Sequence, residues 1–470
     1  MQTELERNRP FECAGMPGSL VAFLAVSIAT MTFSVPLSAG AADESELLDK
    51  PPTKSVEEDL DHLDRAFEDE PPKPPSAIPP LTRALSRLPP FFRDSELEVD
   101  FRNYYFRRRF SNDGNAEAWA IGGAVRYQSG WLLERLRIGA ALFTSQKLYG
   151  PIDRDGTGLL RPRQRSYTVL GEAFVQLRAF DHALTGYRQR LNLPYLNGND
   201  GRMTPNTFEG VTLSHGGERL AYTAGHLLRM KRRNDDQFRS FSRVAGVPGD
   251  SSNGLSFAGV RIKPIQSVSL GAANYFVKDT LNTAYTGLEW SRGDPDGWAL
   301  RAGTQFTHQR SVGDDRLTGD SFETWVWDAK LAASFAQAVV SLAVSVTDDN
   351  ERIRNPFGSY PGYLAMMQSN FNAANEKAWG ISASWYFAWI GLPDLSMALR
   401  YGEGFDGRDV QTGLKLGDHR DFDGTLDYRF SSGPLRGLWL RGRFAWGRID
   451  NARRDRLQGR IVLRYEFQAL

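Results

Sequence analysis

Arginines recur two residues apart in this chain, Arg188 with Arg190 and Arg441 with Arg443, and Arg126 and Arg261 stand in similar alternating surroundings. On an extended strand a separation of two puts both side chains on one face, about 7 Å apart. A guanidinium is permanently charged and grips carboxylate or phosphate in a two-pronged fork. Rows spaced in this way can pass an anion from one weak site to the next. That chemistry selects and conducts; it breaks no bond.

Other chemistry is poorly supplied. The six histidines, His62, His182, His215, His226, His308 and His419, are scattered without metal-ligand spacing. No Gly-rich phosphate loop, CxxC or HExxH is present, and no serine sits in a recognisable nucleophile context. No catalytic, cofactor-binding or metal-binding residue is therefore predicted. Cys13, the single cysteine, precedes the expected mature start, which leaves no disulfide and no thiolate site. With 57 Lys+Arg against 56 Asp+Glu the net charge is +1, which gives no reason to expect a nucleic-acid partner.

The elements that must carry these arginines are strands. In the segment 460–470, Ile461, Leu463, Tyr465 and Phe467 alternate with Val462, Arg464, Glu466 and Gln468. That period of 2 recurs from about Leu97 onward. About eighteen such segments follow one another, from 96–109 and 116–129 through 338–348 and 377–388 to 437–447 and 456–468. Connections alternate between short (179–182, 215–218, 335–337) and long (146–165, 192–207, 231–253, 349–376, 403–421). Short turns on one rim and long loops on the other predict an all-β, transmembrane antiparallel barrel, with both termini on the short-turn side. Mean hydropathy is only −0.43, as expected when every second residue faces lipid.

One face of these strands is apolar: Trp298, Leu300 and Phe306; Val340, Leu342, Val344 and Val346; Trp379, Ile381 and Trp385. The other holds Arg126, Arg135, Arg137, Arg188, Arg190, Arg261, Arg301, Arg400, Arg441, Arg443 and Arg464, with Asp328, Asp423, Asp427 and Glu466. Arginine on lipid at the midplane would cost about 2–4 kcal/mol, and against luminal water far less. The arginines therefore line the lumen. Some pair with the luminal acids, and the rest form a basic ladder for which Arg126, Arg188, Arg190, Arg261, Arg441 and Arg443 are the candidates.

The N-terminus reads as an export signal. An apolar stretch at 20–35 is followed by small residues around Ala39 and Ala41, with cleavage expected after Ala41. From 42 to 90 the chain is acidic and Pro-rich, as in SVEEDLDHLDRAFEDE at 55–70, and reads as a largely disordered periplasmic extension. The barrel domain then occupies 91–470.

Particular segments resemble the OprD-type outer-membrane porins: 95–106 (SELEVDFRNYYF), 193–210 (LPYLNGNDGRMTPNTFEG), 230–241 (MKRRNDDQFRSF) and the final strand RIVLRYEFQAL. The resemblance implies an eighteen-stranded barrel, monomeric or a weak trimer, that imports small carboxylate solutes such as amino acids. It implies a setting of outer-membrane lipid and lipopolysaccharide, reached through the barrel-assembly machinery. It also marks 192–207 as a constriction loop folded into the barrel, with Asn199, Asp200, Arg202 and Asn206 as pore residues. Asp200 and Arg202 carry opposite charges, either to set a transverse field across the water path or to pair and hold the loop. Segment 42–90 and the terminal Leu470 depart from the family pattern. A plugged structural or adhesive barrel, and a soluble exported β-repeat protein, would share the alternation.

Overall fold

A computed structural model describes residues 85–469 apart from 111–113, 250, 294–296, 451 and 453. The export signal, nearly all of the 42–90 extension and Leu470 lie outside the described residues. Alternation of polar and apolar side chains cannot satisfy a helix, and backbone groups facing lipid must pair within the sheet. The chain accordingly folds as strands that close into a ring.

The first six are β1 (Glu96–Arg109), β2 (Asn115–Gln128), β3 (Leu136–Tyr149), β4 (Tyr167–Ala179), β5 (His182–Gln189) and β6 (Thr207–Gly216). There follow β7 (Leu220–Lys231), β8 (Leu255–Ile265), β9 (Val268–Val277), β10 (Leu281–Gly293), β11 (Trp298–Arg310) and β12 (Glu323–Phe335). The last six are β13 (Ala338–Thr347), β14 (Lys377–Phe387), β15 (Leu392–Phe405), β16 (His419–Arg429), β17 (Leu438–Ile449) and β18 (Arg456–Gln468). Each pairs antiparallel with its sequence neighbours. β18 closes on β1 in a register running from Glu98 opposite Gln468 to Arg109 opposite Leu457. This is the predicted eighteen-stranded barrel, and closure removes the unpaired edges an open sheet would expose.

The faces fall as the alternation requires. On β13, Val340, Leu342 and Val344 are exposed on the outer wall, while Val339, Ser341, Ala343 and Ser345 are buried on the inner one. Arg135 is a correction: it sits in the turn between β2 and β3, not on the lumen wall. The alternation extends through that turn in sequence, but Leu133 and Glu134 adopt φ values of 49° and 59°, which breaks the strand there.

Candidate functional site

Two long-rim connections turn inward. The first, 190–206, joins β5 to β6. Asn192–Leu193 pairs with Leu196–Asn197 in a small hairpin whose Tyr195 has a φ of 63°. The Tyr195 hydroxyl donates to Thr307 Oγ1 on β11 at 2.9 Å. Asp200, further along the loop, is held by Arg102 on β1. β1 and β11 stand on opposite sides of the ring, so the loop crosses the lumen. The predicted inward fold of this connection is present.

Its return end rests on Lys231, whose side chain is completely buried. The ammonium donates to Thr204 Oγ1 (3.2 Å), Pro205 O (2.9 Å) and Arg232 O (3.0 Å). Three oxygens match its three donors, which offsets the desolvation a buried charge would otherwise suffer. Asn206 Nδ2 donates to Asn197 O, and its Oδ1 accepts from Arg233 N at 2.8 Å. Arg233 Nη1 in turn donates to Asn199 Oδ1 at 2.7 Å. Asn199 and Asn206 thus shape the loop through its own backbone and neighbours.

The second inward connection, 348–376, is marked in the sequence only as long. Ile353, Phe357 and Tyr360 join Tyr195, Leu196, Phe208 and Phe241 in one buried cluster. Leu364 and Phe371 pack with Ala343 and Ala378 in another. The two loops meet where Asn197 Oδ1 accepts from Ser359 N (2.9 Å) and Ser359 Oγ (3.0 Å). A signal for this fold was available: PFGSYPGYLAMM at 356–367 is too apolar for a loop facing only water.

Charge is densest where β18, β1 and β2 adjoin. Arg102 donates to Asp100 Oδ2 from Nε (3.0 Å) and Nη2 (2.7 Å). It also forks onto Asp200, Nη1 to Oδ1 at 2.7 Å and Nη2 to Oδ2 at 2.8 Å. Asp100 receives a second fork from Arg464, both contacts at 2.9 Å. Opposite them Gly123 has a φ of +124°, and a Cβ there would lie 1.9 Å from the Asp100 carbonyl oxygen, so only glycine fits.

Most of the predicted ladder is occupied by acids. Arg126 contacts Glu98 at 2.5 Å, Arg190 contacts Glu172 at 2.9 Å, Arg188 contacts Glu209 at 3.1 Å, and Arg441 contacts Asp427 at 2.7 Å. Arg443 shares the inward face with Arg441. Arg261 is exposed on β8, with no carboxylate at ion-pair distance among the described residues. Arg202, in the loop, donates to Thr157 O (2.9 Å) and Gly201 O (2.6 Å).

Sequence reasoning missed a different basic group. Phe106, fully buried, is surrounded by Arg202 (4.9 Å to the ring centroid), Arg460 (4.8 Å) and Arg108 (5.9 Å). Beside it lies a cavity of about 320 Å³ lined by Arg108, Arg202, Arg233, Asn234, Asp155 and Thr157, among others. Arg108 Nη2 donates to the Gly156 carbonyl at 3.1 Å. Among the described residues neither Arg108 nor Arg460 has a carboxylate within ion-pair distance. The run Arg107-Arg108-Arg109 concealed which arginine turns inward; alternation from Arg102 selects Arg108.

Residues 89–469 match the family described as outer membrane porin, OprD family. Porin D of Pseudomonas aeruginosa is 25% identical over 413 residues, covering 81% of this chain and 92% of that protein. The porin-like protein GalP of Pseudomonas putida is 24% identical over 388 residues, 78% of this chain and 91% of its own length. Among solved structures, Pseudomonas aeruginosa OccK9 (OpdG) superposes with a TM-score of 0.73 at 24% identity, covering 81% of this chain and all of that one. Pseudomonas aeruginosa OpdK, crystallised with vanillate, gives 0.70 at 24% identity over 80% of this chain and all of its own.

Proposed function

Since the chain belongs to the OprD family of outer-membrane porins, and is thus a channel of the bacterial outer membrane rather than an enzyme, we propose that its solutes are small carboxylates such as amino acids. The observation that carries this reading is the group of arginines around Phe106 and the adjoining cavity. Arg108 and Arg460 bring positive charge to one place, and among the described residues no carboxylate, Asp155 of the cavity lining included, lies at ion-pair distance from either. An anion entering there relieves their mutual repulsion and gains charge-assisted hydrogen bonds. Arg202 and Arg233 donate to neutral oxygens beside the same cavity. The solutes that would answer this cluster are monoanions small enough for the cavity, and vanillate, named with OpdK, carries such a carboxylate.

The ladder is correspondingly revised. Arg126, Arg188, Arg190 and Arg441 act mainly as wall-bracing pairs, while Arg108 and Arg460 form the solute-facing pair, with Arg261 as a further step. Liposome swelling with matched carboxylates, sugars and amines tests this. Carboxylates should enter fastest, and Arg108→Gln with Arg460→Gln should slow them selectively. Equal slowing of sugars and carboxylates would contradict it.

The proposal has a cellular side. Residues 1–41 would export the chain, and 42–90 would form a periplasmic tether. The barrel-assembly machinery would insert 91–470 among outer-membrane lipid and lipopolysaccharide, as a monomer or weak trimer. Outward aromatic residues such as Trp298, Trp379 and Trp327, all exposed on the wall, support that setting.

A further inference from the structure

The middle of the crossing loop poses a positional problem. Its hairpin end is held at β11 by Tyr195 and the buried aromatic cluster, and its return end by Lys231. Between them, Asn199 to Arg202 must span open lumen to β1. Arg233 holds Asn199 and Thr157 O accepts from Arg202, but the Asp200 carboxylate between them is fixed by what grips it at the β1 wall.

We propose that Arg102 is the positioning residue of the pore, fastening the crossing loop to the seam where the first and last strands close. Five observations converge on it. Its guanidinium forks onto Asp200 in the loop. The same group forks onto Asp100 on its own strand, and Asp100 is gripped from β18 by Arg464. Arg102 Nη1 also donates to the Arg202 carbonyl at 2.7 Å, which fixes loop backbone as well as side chain. Finally, Arg102 and Asp100 are both 2% exposed, so water competes little for these bonds. The resulting chain, Arg464–Asp100–Arg102–Asp200, runs from the closing strand through the opening strand into the loop. In register, Arg102 stands directly opposite Arg464; Asp100 separates two like charges that would otherwise face each other across the seam.

Two consequences follow. The loop finds its docking partner only where β18 and β1 have come together, so aperture is set by closure of the ring. The Asp200 carboxylate, although it lies across the path, meets the solute already neutralised. Lysine could not replace Arg102, because a point charge cannot fork onto two carboxylates and a carbonyl at once.

The inference rests on the porin reading only in requiring a conducting channel, and the wild type tests that separately: no conductance in planar bilayers would overturn the porin reading itself. Given a conducting wild type, Arg102→Gln and Asp200→Asn should each lower the ratio of docked to undocked loop by about a hundredfold or more, as expected when one partner of a buried pair is lost. Single-channel records should then show a steady open level replaced by flicker toward a higher one. The double variant should flicker no more than Arg102→Gln alone, because without the guanidinium the Asp200 carboxylate has no docking contact left to lose. Reversal potentials should move in opposite directions, toward cations for Arg102→Gln, which uncovers Asp200, and toward anions for Asp200→Asn. Heat-modifiable migration on gels would confirm that the barrel still closes through Asp100 and Arg464. Should Arg102→Gln fail to assemble, Asp200→Asn, which removes the loop carboxylate and leaves the Arg102 bonds to Asp100 and to the Arg202 carbonyl, decides the matter. A folded variant with the steady wild-type level, or flicker that adds in the double variant, overturns the proposal.

Discussion

Loop 190–206 meets the β1 wall through a carboxylate–guanidinium–carboxylate chain, whereas loop 348–376 meets its wall through rings and separate hydrogen bonds that each have a loop backbone group on one side. On the second side Gln305 Nε2 donates to Pro361 O (3.1 Å), Arg400 Nη1 to Ala365 O (2.9 Å), and Met367 N to Asp423 Oδ2 (2.7 Å). Phe357, Tyr360, Leu364 and Phe371 supply the burial. The two anchorages should fail differently. A buried ionic chain is only as good as its complete set of partners, because losing one leaves another charge uncompensated in low dielectric. An anchorage spread over many single hydrogen bonds and ring contacts loses a fraction of its strength at a time.

The sharpest way to expose that difference is Asp100→Asn. It leaves Arg102 and Arg464 facing one another without their shared carboxylate and should cost about 3–5 kcal/mol, read as a fall in the fraction of heat-modifiable barrel in detergent. Lys231→Met comes next. It takes their ammonium donor from the Pro205 and Arg232 carbonyls, at about 1–3 kcal/mol, measured by urea titration of the folded barrel. Tyr195→Phe removes one hydrogen bond to Thr307 while keeping the ring in its cluster. A loss of only about 0.5–1.5 kcal/mol is expected, visible as a small shift of the same titration. A Tyr195→Phe effect equal to that of Asp100→Asn would erase the contrast between the two walls.

The smallest expected effect is one of pH. Glu376, where the second loop rejoins β14, is buried, and burial pushes its carboxyl up to about 7. The hydrogen bond from Ala373 N to its Oε2 opposes that shift, and the nearby Asp421 adds to it. His419 Nδ1 lies 3.4 Å from Oε1. The folded state therefore holds this proton more tightly than the unfolded chain does. Stability gains as pH falls from about 7 toward the ordinary carboxyl value and loses that gain above 7. A Glu376→Gln variant should flatten this part of the pH–stability curve, as followed by thermal unfolding in detergent; an unchanged slope would show that the carboxyl does not titrate there.

Much of this was legible in sequence, for reasons that also set the limits. Alternation has period 2 and one wrong step would turn Val344 inward, so the strands and their faces could be read almost residue by residue. NGNDGRMTPN announced a loop of tight turns, and it does cross the lumen. Partner choice was hidden, because Arg102 and Asp200 are almost a hundred positions apart and only closure and the loop fold bring them together. The ladder suffered the same limitation. Sequence spacing places Arg441 on the inward face, but not Asp427 beside it on β16, and it could not show that Arg108 and Arg460 converge on Phe106 across the closing seam.

The central claim, that this lumen favours anions through arginines that have no carboxylate at ion-pair distance among the described residues, is tested most directly by the reversal potential of single channels under a potassium chloride gradient. The wild type should reverse toward the chloride equilibrium potential, and Arg108→Gln with Arg460→Gln should bring the reversal back toward zero. A wild-type reversal at zero or toward potassium, or a double variant indistinguishable from the wild type, would contradict it.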